Sequence, residues 1–250
     1  MPKIEISHCY KNDIHNDDSY FIQDLGFSFF IGISDGVSSN KLGKVCSFLT
    51  LDKIQFNINN KLFIENLKKD MEEGKDLKMV LKSLVEISFR DIMDDYKEKR
   101  IPKHFKEMIK KDSDDPKATV LIGLIDLVNM MLYTYSLGDS ECWIIRNGCL
   151  YSHCGFSINS DHVLVSYFSL LTGINGFADI SSRKIYSGDI IVFNTDGAKV
   201  TWTSKFGIPG IPFLRHLSQD FANSAYKWIS FLETNKVLAD DATLVILKIV

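Results

Sequence analysis

Along the first part of the chain the spacing of apolar positions changes period. Residues Lys3–Tyr10, Ser19–Gln23 and Phe27–Ile33 alternate polar with apolar side chains and are rich in aromatic and β-branched residues, the pattern of strands with one buried face. From Lys41 to about Ile58, and again from Leu77 to about Tyr96, apolar residues recur at helical spacing. In the second run Val80, Leu81, Leu84, Val85, Ile87, Ser88 and Ile92 share one face. Two long helices are therefore expected after the first strands. Strand character returns over Ala118–Asp126, Met130–Leu137, Glu141–Arg146 and Cys149–His153, with Asn147-Gly148 suited to a hairpin turn between the last two. Ser157–Ile180 is irregular, interrupted by Gly173 and Gly176, and reads as a loop or flap. Lys184–Thr195 reads as two strand-like runs broken at Ser187-Gly188, Pro212–Leu217 and Phe221–Leu232 as short helices, and Ala242–Val250 as a closing strand. Strands, helices, strands, helices and a strand, in that order, predict an α+β fold and argue against a repeating βαβ unit.

Composition narrows the classes of function. A chain of 250 residues with 45% apolar and 24% charged residues is expected to form a single domain over residues 1–250 with a substantial core. A net charge of −3 gives no basic footprint, so no nucleic-acid partner is expected. The lysine-rich stretch from Lys97 to Lys111 carries Glu98 and Glu107 as well, and reads as a solvated helix-and-loop face. No apolar run approaches the ~18 residues of a membrane helix, and the first residues lack the order of a secretory signal. A cytoplasmic protein with no membrane association is expected, although a non-standard export route leaves no compositional trace. The five cysteines are odd in number and show no CxxC spacing, which predicts reduced core thiols.

The candidate chemistry lies in aspartates at strand ends. Asp35 closes the run Phe29–Ser34 and Asp196 closes Ile190–Thr195; each is followed by glycine, so the chain turns sharply with the carboxylate at the corner. Asp139 follows Leu137-Gly138, and Asp240-Asp241 immediately precedes the last strand. Any one such corner is commonly a plain turn. Together, carboxylates aimed from rigid strand ends, with no histidine or cysteine cluster, match the oxygen-rich shell that Mg²⁺ and Mn²⁺ demand.

The order of these segments is more specific than any one of them. Asn16-Asp17-Asp18-Ser19, Ser34-Asp35-Gly36-Val37-Ser38-Ser39, Ala118-Thr119, Gly138-Asp139-Ser140, Asn194-Thr195-Asp196-Gly197 and Asp240-Asp241-Ala242-Thr243 resemble, in sequence and spacing, the motif series of the type-2C (PPM) protein phosphatases. The resemblance runs from residue 16 to residue 250. It implies two packed antiparallel β-sheets flanked by α-helices, and a serine/threonine phosphoprotein phosphatase in which a metal-bridging water attacks phosphorus. It also implies two or three Mg²⁺ or Mn²⁺ ions: Asp18 on one ion largely through water, Asp35 between both with the carbonyl of Gly36 joining the shell, Asp196 and Asp240 on the second, and Asp139 with Asp196 on a third. Asp18, Asp35, Asp196 and Asp240 are thus the expected catalytic set, and a phosphorylated protein is the expected partner of a monomeric enzyme. The pattern departs from the family in three places. Where an arginine usually precedes the first motif this chain has Asp13, leaving Lys11 as the candidate phosphate-binding cation without the bidentate fork of arginine. Ser38 stands at a position of the second motif that commonly has glycine, and Glu141 follows Gly138-Asp139-Ser140 where arginine is usual. The missing arginine and the altered glycine turn keep open an inactive relative serving as a protein-binding module, and a phosphatase of a small phosphorylated metabolite stays open because its metals and water would be identical.

Overall fold

A computed structural model describes residues 2–11, 17–37, 42–98, 100–111, 115–154, 166–198, 200–201, 210–217, 220–238 and 241–250. Three strands open the chain, β1 (Ile4–Lys11), β2 (Ser19–Asp24) and β3 (Ser28–Ser34), close to where the alternation places them. Four helices follow: α1 (Gly43–Ile58), α2 (Lys61–Glu72), α3 (Lys78–Lys97) and α4 (Lys103–Lys111). The expectation of two helices is corrected here. α2 is polar and buries only Leu67 and Met71, so its sequence carries a faint apolar stripe; its start is fixed instead by the Asn60 side chain, which accepts hydrogen bonds from the N–H groups of Leu62 and Phe63. On α3 the buried face includes Phe89, while Ile87 turns outward.

The next strands are β4 (Lys117–Ala118), β5 (Val120–Asp126), β6 (Met131–Leu137), β7 (Glu141–Arg146) and β8 (Cys149–Cys154). The run expected as one strand from Ala118 is split at Thr119. The segment expected as a loop or flap contains, in its described part, β9 (Tyr167–Ser169), β10 (Gly173–Asn175) and the start of β11 (Asp179–Lys184). β12 (Ile190–Asn194), α5 (Ile211–Leu217), α6 (Ser224–Thr234) and β13 (Ala242–Ile249) complete the order.

Two five-stranded antiparallel sheets form, β1-β13-β12-β7-β8 and β11-β6-β5-β3-β2, with a small third sheet β10-β9-β4 that the sequence pattern did not indicate. The two large sheets pack face to face through Ile31, Ile33, Leu121, Ile144, Phe193, Val245 and Leu247. α1, α3 and α4 cover the outer face of the second sheet, burying Val45, Ile54, Leu81, Phe89 and Phe105 with Ile122 and Tyr135. α5 and α6 cover the first sheet through Phe213, Trp228 and Leu232 against Val192 and Leu244. The α+β expectation of two packed antiparallel sheets flanked by helices holds. All five cysteines are free, but Cys149 is exposed, so the reading of every thiol as a core residue is corrected there. Among the described residues no helix is long and apolar enough to cross a membrane.

Candidate metal centre at the strand ends

Three strand ends and the loop before β2 meet at one edge of the sheet sandwich. The β3 strand delivers Asp35 and Gly36; β6 ends at Leu137 and delivers Asp139; β12 ends at Asn194 and delivers Asp196 at the start of a short 3-10 turn; Asp18 immediately precedes β2. Asp18 is buried, whereas Asp35, Asp139 and Asp196 are half-buried and so stand at the mouth of the corner. Burial pushes the Asp35 carboxyl well above the ordinary aspartate range, and the nearby charges of Asp18, Asp196 and Asp139 push it further. The structure therefore brings four of the five predicted aspartates together. Asp240 lies outside the described residues, as do Asp13, Ser38 and Ser39. Among the described residues no three His, Cys, Asp or Glu side chains are already arranged as a metal-ligand group. Asp18 and Asp35 are nonetheless close enough for each to shift the other's carboxyl.

Asp18 is held from the other sheet. Thr195 Oγ1 and Thr243 Oγ1 each donate to its Oδ2 at 2.8 Å, while its Oδ1 is buried with no hydrogen-bond partner. Burial raises its carboxyl to about 7; the two hydroxyls and the contact with Asp35 oppose that rise, and the charge of Asp241 adds to it. Thr195 precedes Asp196 and Thr243 lies two residues after Asp241, but their shared role appears only through strand register: Asn194 pairs with Leu244, which sets Thr195 across from Thr243. Asp17 and Asp241, the aspartates next to the expected ligands, contact each other across the corner. The Asp241 carboxylate accepts from the Asp17 N–H at 2.5 Å, and the Asp17 carbonyl accepts from Gly36 N–H at 3.1 Å and from Ser47 Oγ at 2.5 Å.

Backbone contacts fix Asp35. Its N–H donates to Thr119 Oγ1 (3.1 Å) and its carbonyl accepts from Thr119 N–H (2.8 Å), while Gly36 forms an isolated bridge to Ala118. Gly36 also lies directly against the first residue of α1: a Cβ there would run into the backbone of Gly43. The candidate phosphate-binding cation is placed elsewhere. Lys11 lies on the face of β1 that carries Ser7 and Cys9, toward α6, where its ammonium forms an ion pair with Glu233. His8 is exposed beside Tyr20, and His153 is held neutral by burial, with Arg183 adding to the effect, its pKa lowered to about 4. Trp143 of β7 and Trp228 of α6 pack in the core between the first sheet and its covering helices.

The family model of protein phosphatase 2C matches residues 7–242. The chain belongs to the protein phosphatase 2C family. Solved structures of similar fold include the S. agalactiae serine/threonine phosphatase, with 14% identity and a TM-score of 0.72 over 99% of this chain and 100% of that one. The catalytic domain of the serine/threonine protein phosphatase PstP in complex with two manganese ions has 16% identity and a TM-score of 0.68 over the whole of both chains. RsbX in complex with magnesium has 15% identity and a TM-score of 0.57, also over the whole of both. No curated protein matches the sequence. At these identities the likeness establishes a shared fold, and within the 2C family frame the four gathered aspartates occupy the ends of its two packed sheets.

Proposed function

We propose that this protein phosphatase 2C is a Mg²⁺- or Mn²⁺-dependent hydrolase of phosphoserine and phosphothreonine in proteins, a cytoplasmic monomer with residues 1–250 as one catalytic unit. The observation that carries the reading is the convergence of Asp18, Asp139 and Asp196 on Asp35. Carboxylates crowded this closely repel one another, and a hard divalent cation is the partner that relieves them. The donor set fits such ions, being all oxygen, and the buried Asp18 Oδ1 is an acceptor with no hydrogen-bond partner. The manganese in PstP and the magnesium in RsbX support the same choice of ions.

Asp35, Asp196 and Asp240, with the carbonyl of Gly36, would hold two ions; Asp18 would act from the buried side and Asp139 would serve a third ion with Asp196. When bound, such ions make a coordinated water acidic enough to attack phosphorus near neutral pH and offset charge on the phosphoryl oxygens. The chain's own contribution is placement. Thr195 and Thr243 give Asp18 a single orientation, and the half-buried positions of Asp35, Asp139 and Asp196 leave them reachable by a phosphate ester on a peptide. The buried thiols of Cys46 and Cys142 are not rival nucleophiles: burial pushes both upward, away from the reactive thiolate.

The test is hydrolysis of an aryl phosphate with and without Mn²⁺ by the wild type and Asp196→Asn, followed by phosphopeptides against small phosphorylated metabolites. Mn²⁺-dependent turnover that disappears in Asp196→Asn supports the enzyme. A wild type that neither turns over nor binds Mn²⁺ overturns it and leaves a protein-binding module.

A further inference from the structure

Between β4 and β5 a single residue interrupts what the sequence presents as one strand. Thr119 is buried, and every polar atom it has is engaged with a carboxylate-bearing corner or the residue before or after one. Its N–H donates to the Asp35 carbonyl at 2.8 Å and its Oγ1 accepts from the Asp35 N–H at 3.1 Å, so it grips both peptide groups of that residue. Its carbonyl accepts from Ser34 Oγ at 2.5 Å. On the other side, Oγ1 shares a hydrogen bond of 3.0 Å with Ser140 Oγ, the residue after Asp139. Its Cβ and Cγ2 fill the space that a side chain on Gly138 would need, and Gly138 has a φ of +119°, where only glycine is comfortable.

The strand order explains why one residue reaches both corners. β5 lies between β3 and β6, pairing Leu121 with Ile33 and Val120 with Leu137, so the corners holding Asp35 and Asp139 flank the start of β5. Their backbones are separated by two strand spacings, ~10 Å, and Thr119 sits on the strand between them. The charge of Asp139 is nonetheless felt at the Asp35 carboxyl. Two loops on opposite neighbours would drift independently unless something joined them.

We propose that Thr119 is a positioning residue whose hydroxyl, through Ser140, sets the separation of Asp35 from Asp139. It touches no reacting group; it acts through the Asp35 amide and the Gly138-Asp139-Ser140 loop. The inference rests on the metal-centre reading for its functional consequence, and its test separates the two. Mn²⁺ binding to the full chain is measured by calorimetry for the wild type, Thr119→Val, Thr119→Ser, Ser140→Ala and the double variant Thr119→Val/Ser140→Ala, with thermal melts as a check on folding. Loss of one buried hydrogen bond corresponds to roughly a 5–10-fold change, so Ser140→Ala, which removes only the link to Thr119, should weaken Mn²⁺ binding by about that factor, and Thr119→Val, which also removes the acceptor of the Asp35 N–H, by at least as much. Thr119→Ser should stay within about twofold, and the double variant should be no worse than the poorer single one, because both remove the same link. Wild-type affinity in Thr119→Val, equal losses in Thr119→Val and Thr119→Ser, or additive losses in the double variant would overturn the proposal. If Thr119→Val does not fold, Ser140→Ala breaks the link from the other side and carries the same prediction. A wild type that binds no Mn²⁺ defeats the metal reading instead. The positioning claim is then decided by hydrogen exchange at the Asp35 amide: roughly tenfold faster in Thr119→Val but not in Thr119→Ser upholds it, and equal rates in all proteins overturn it.

Discussion

The core between the two large sheets and the carboxylate corner at their edge are built from the same strands, yet they are opposite kinds of interior. Ile31 and Ile33 of β3, Phe193 of β12 and Val245 of β13 are solvent-free and carry nothing that needs a partner, so their burial stabilises the fold at ~25 cal/mol per Å². Two or three residues away, toward one edge, the same strands deliver Asp35, Asp196 and Thr243, and β2 begins beside Asp18, which is also buried. Here burial opposes stability, because it raises the Asp18 and Asp35 carboxyls. The contrast shows how a costly arrangement persists: the close-packed half holds the strand ends where mutual repulsion would otherwise separate them.

The largest effect should come from a substitution that acts oppositely on the two halves. Asp35→Asn is expected to lower Mn²⁺-dependent aryl phosphate turnover by about 10³-fold, ~4 kcal/mol, while raising the melting temperature of the metal-free protein at pH 7.5. Unchanged turnover, or a lower melting temperature, would break the comparison. In the core, Phe193→Ala removes a ring that lies where a Cβ on Gly123 would have to go, and it should cost ~3–5 kcal/mol in urea unfolding. A smaller signal comes from pH. Folded Asp18 and Asp35 keep protons that the unfolded chain releases near pH 4, so from about pH 4 to pH 7 their contribution to stability falls as pH rises. Buried, neutral His153 works the other way between about pH 4 and 6.5, so the informative measurement is the difference between wild type and Asp35→Asn in chelator. That difference should grow with pH through the window, and a constant difference would show that the corner does not resist ionisation. The smallest effect belongs to Lys11→Ala. An ion pair with Glu233 at a half-exposed site is worth at most ~1 kcal/mol, and turnover should change by less than about twofold. A large rise in KM would restore Lys11 as the phosphate-binding cation.

Legibility in the sequence followed the strength of local periodicity. β3, β6 and β7, the face of α3 and the closing strand were readable because each alternates or repeats against a large buried surface. α2 was not, since Lys61–Glu72 offers few apolar positions and its capping Asn60 is a single-residue signal. β9 and β10 are three residues each, too short for a period to show. At the site, Asp35, Asp139 and Asp196 stood out because each ends a strand. Asp18 could not be separated from Asp17 along the chain; the difference is three-dimensional, one side chain lying between Thr195 and Thr243 and the other residue offering its backbone to Asp241 and Gly36. Thr119 appeared only as half of an Ala-Thr pair, because its partners are 84 and 21 residues away.

The contact between Gly36 and Gly43 has a consequence for how such a protein can diversify. A side chain at Gly36 would meet the Gly43 peptide, and one at Gly43 would press on the Gly36 backbone and the Val37 nitrogen. Changing one does not make room for the other, so single-step substitution is closed at both positions. A lineage exploring new substrates is therefore channelled away from the junction of the Asp35 corner with α1, and its variation must accumulate on surfaces where a side chain can be exchanged without moving the backbone.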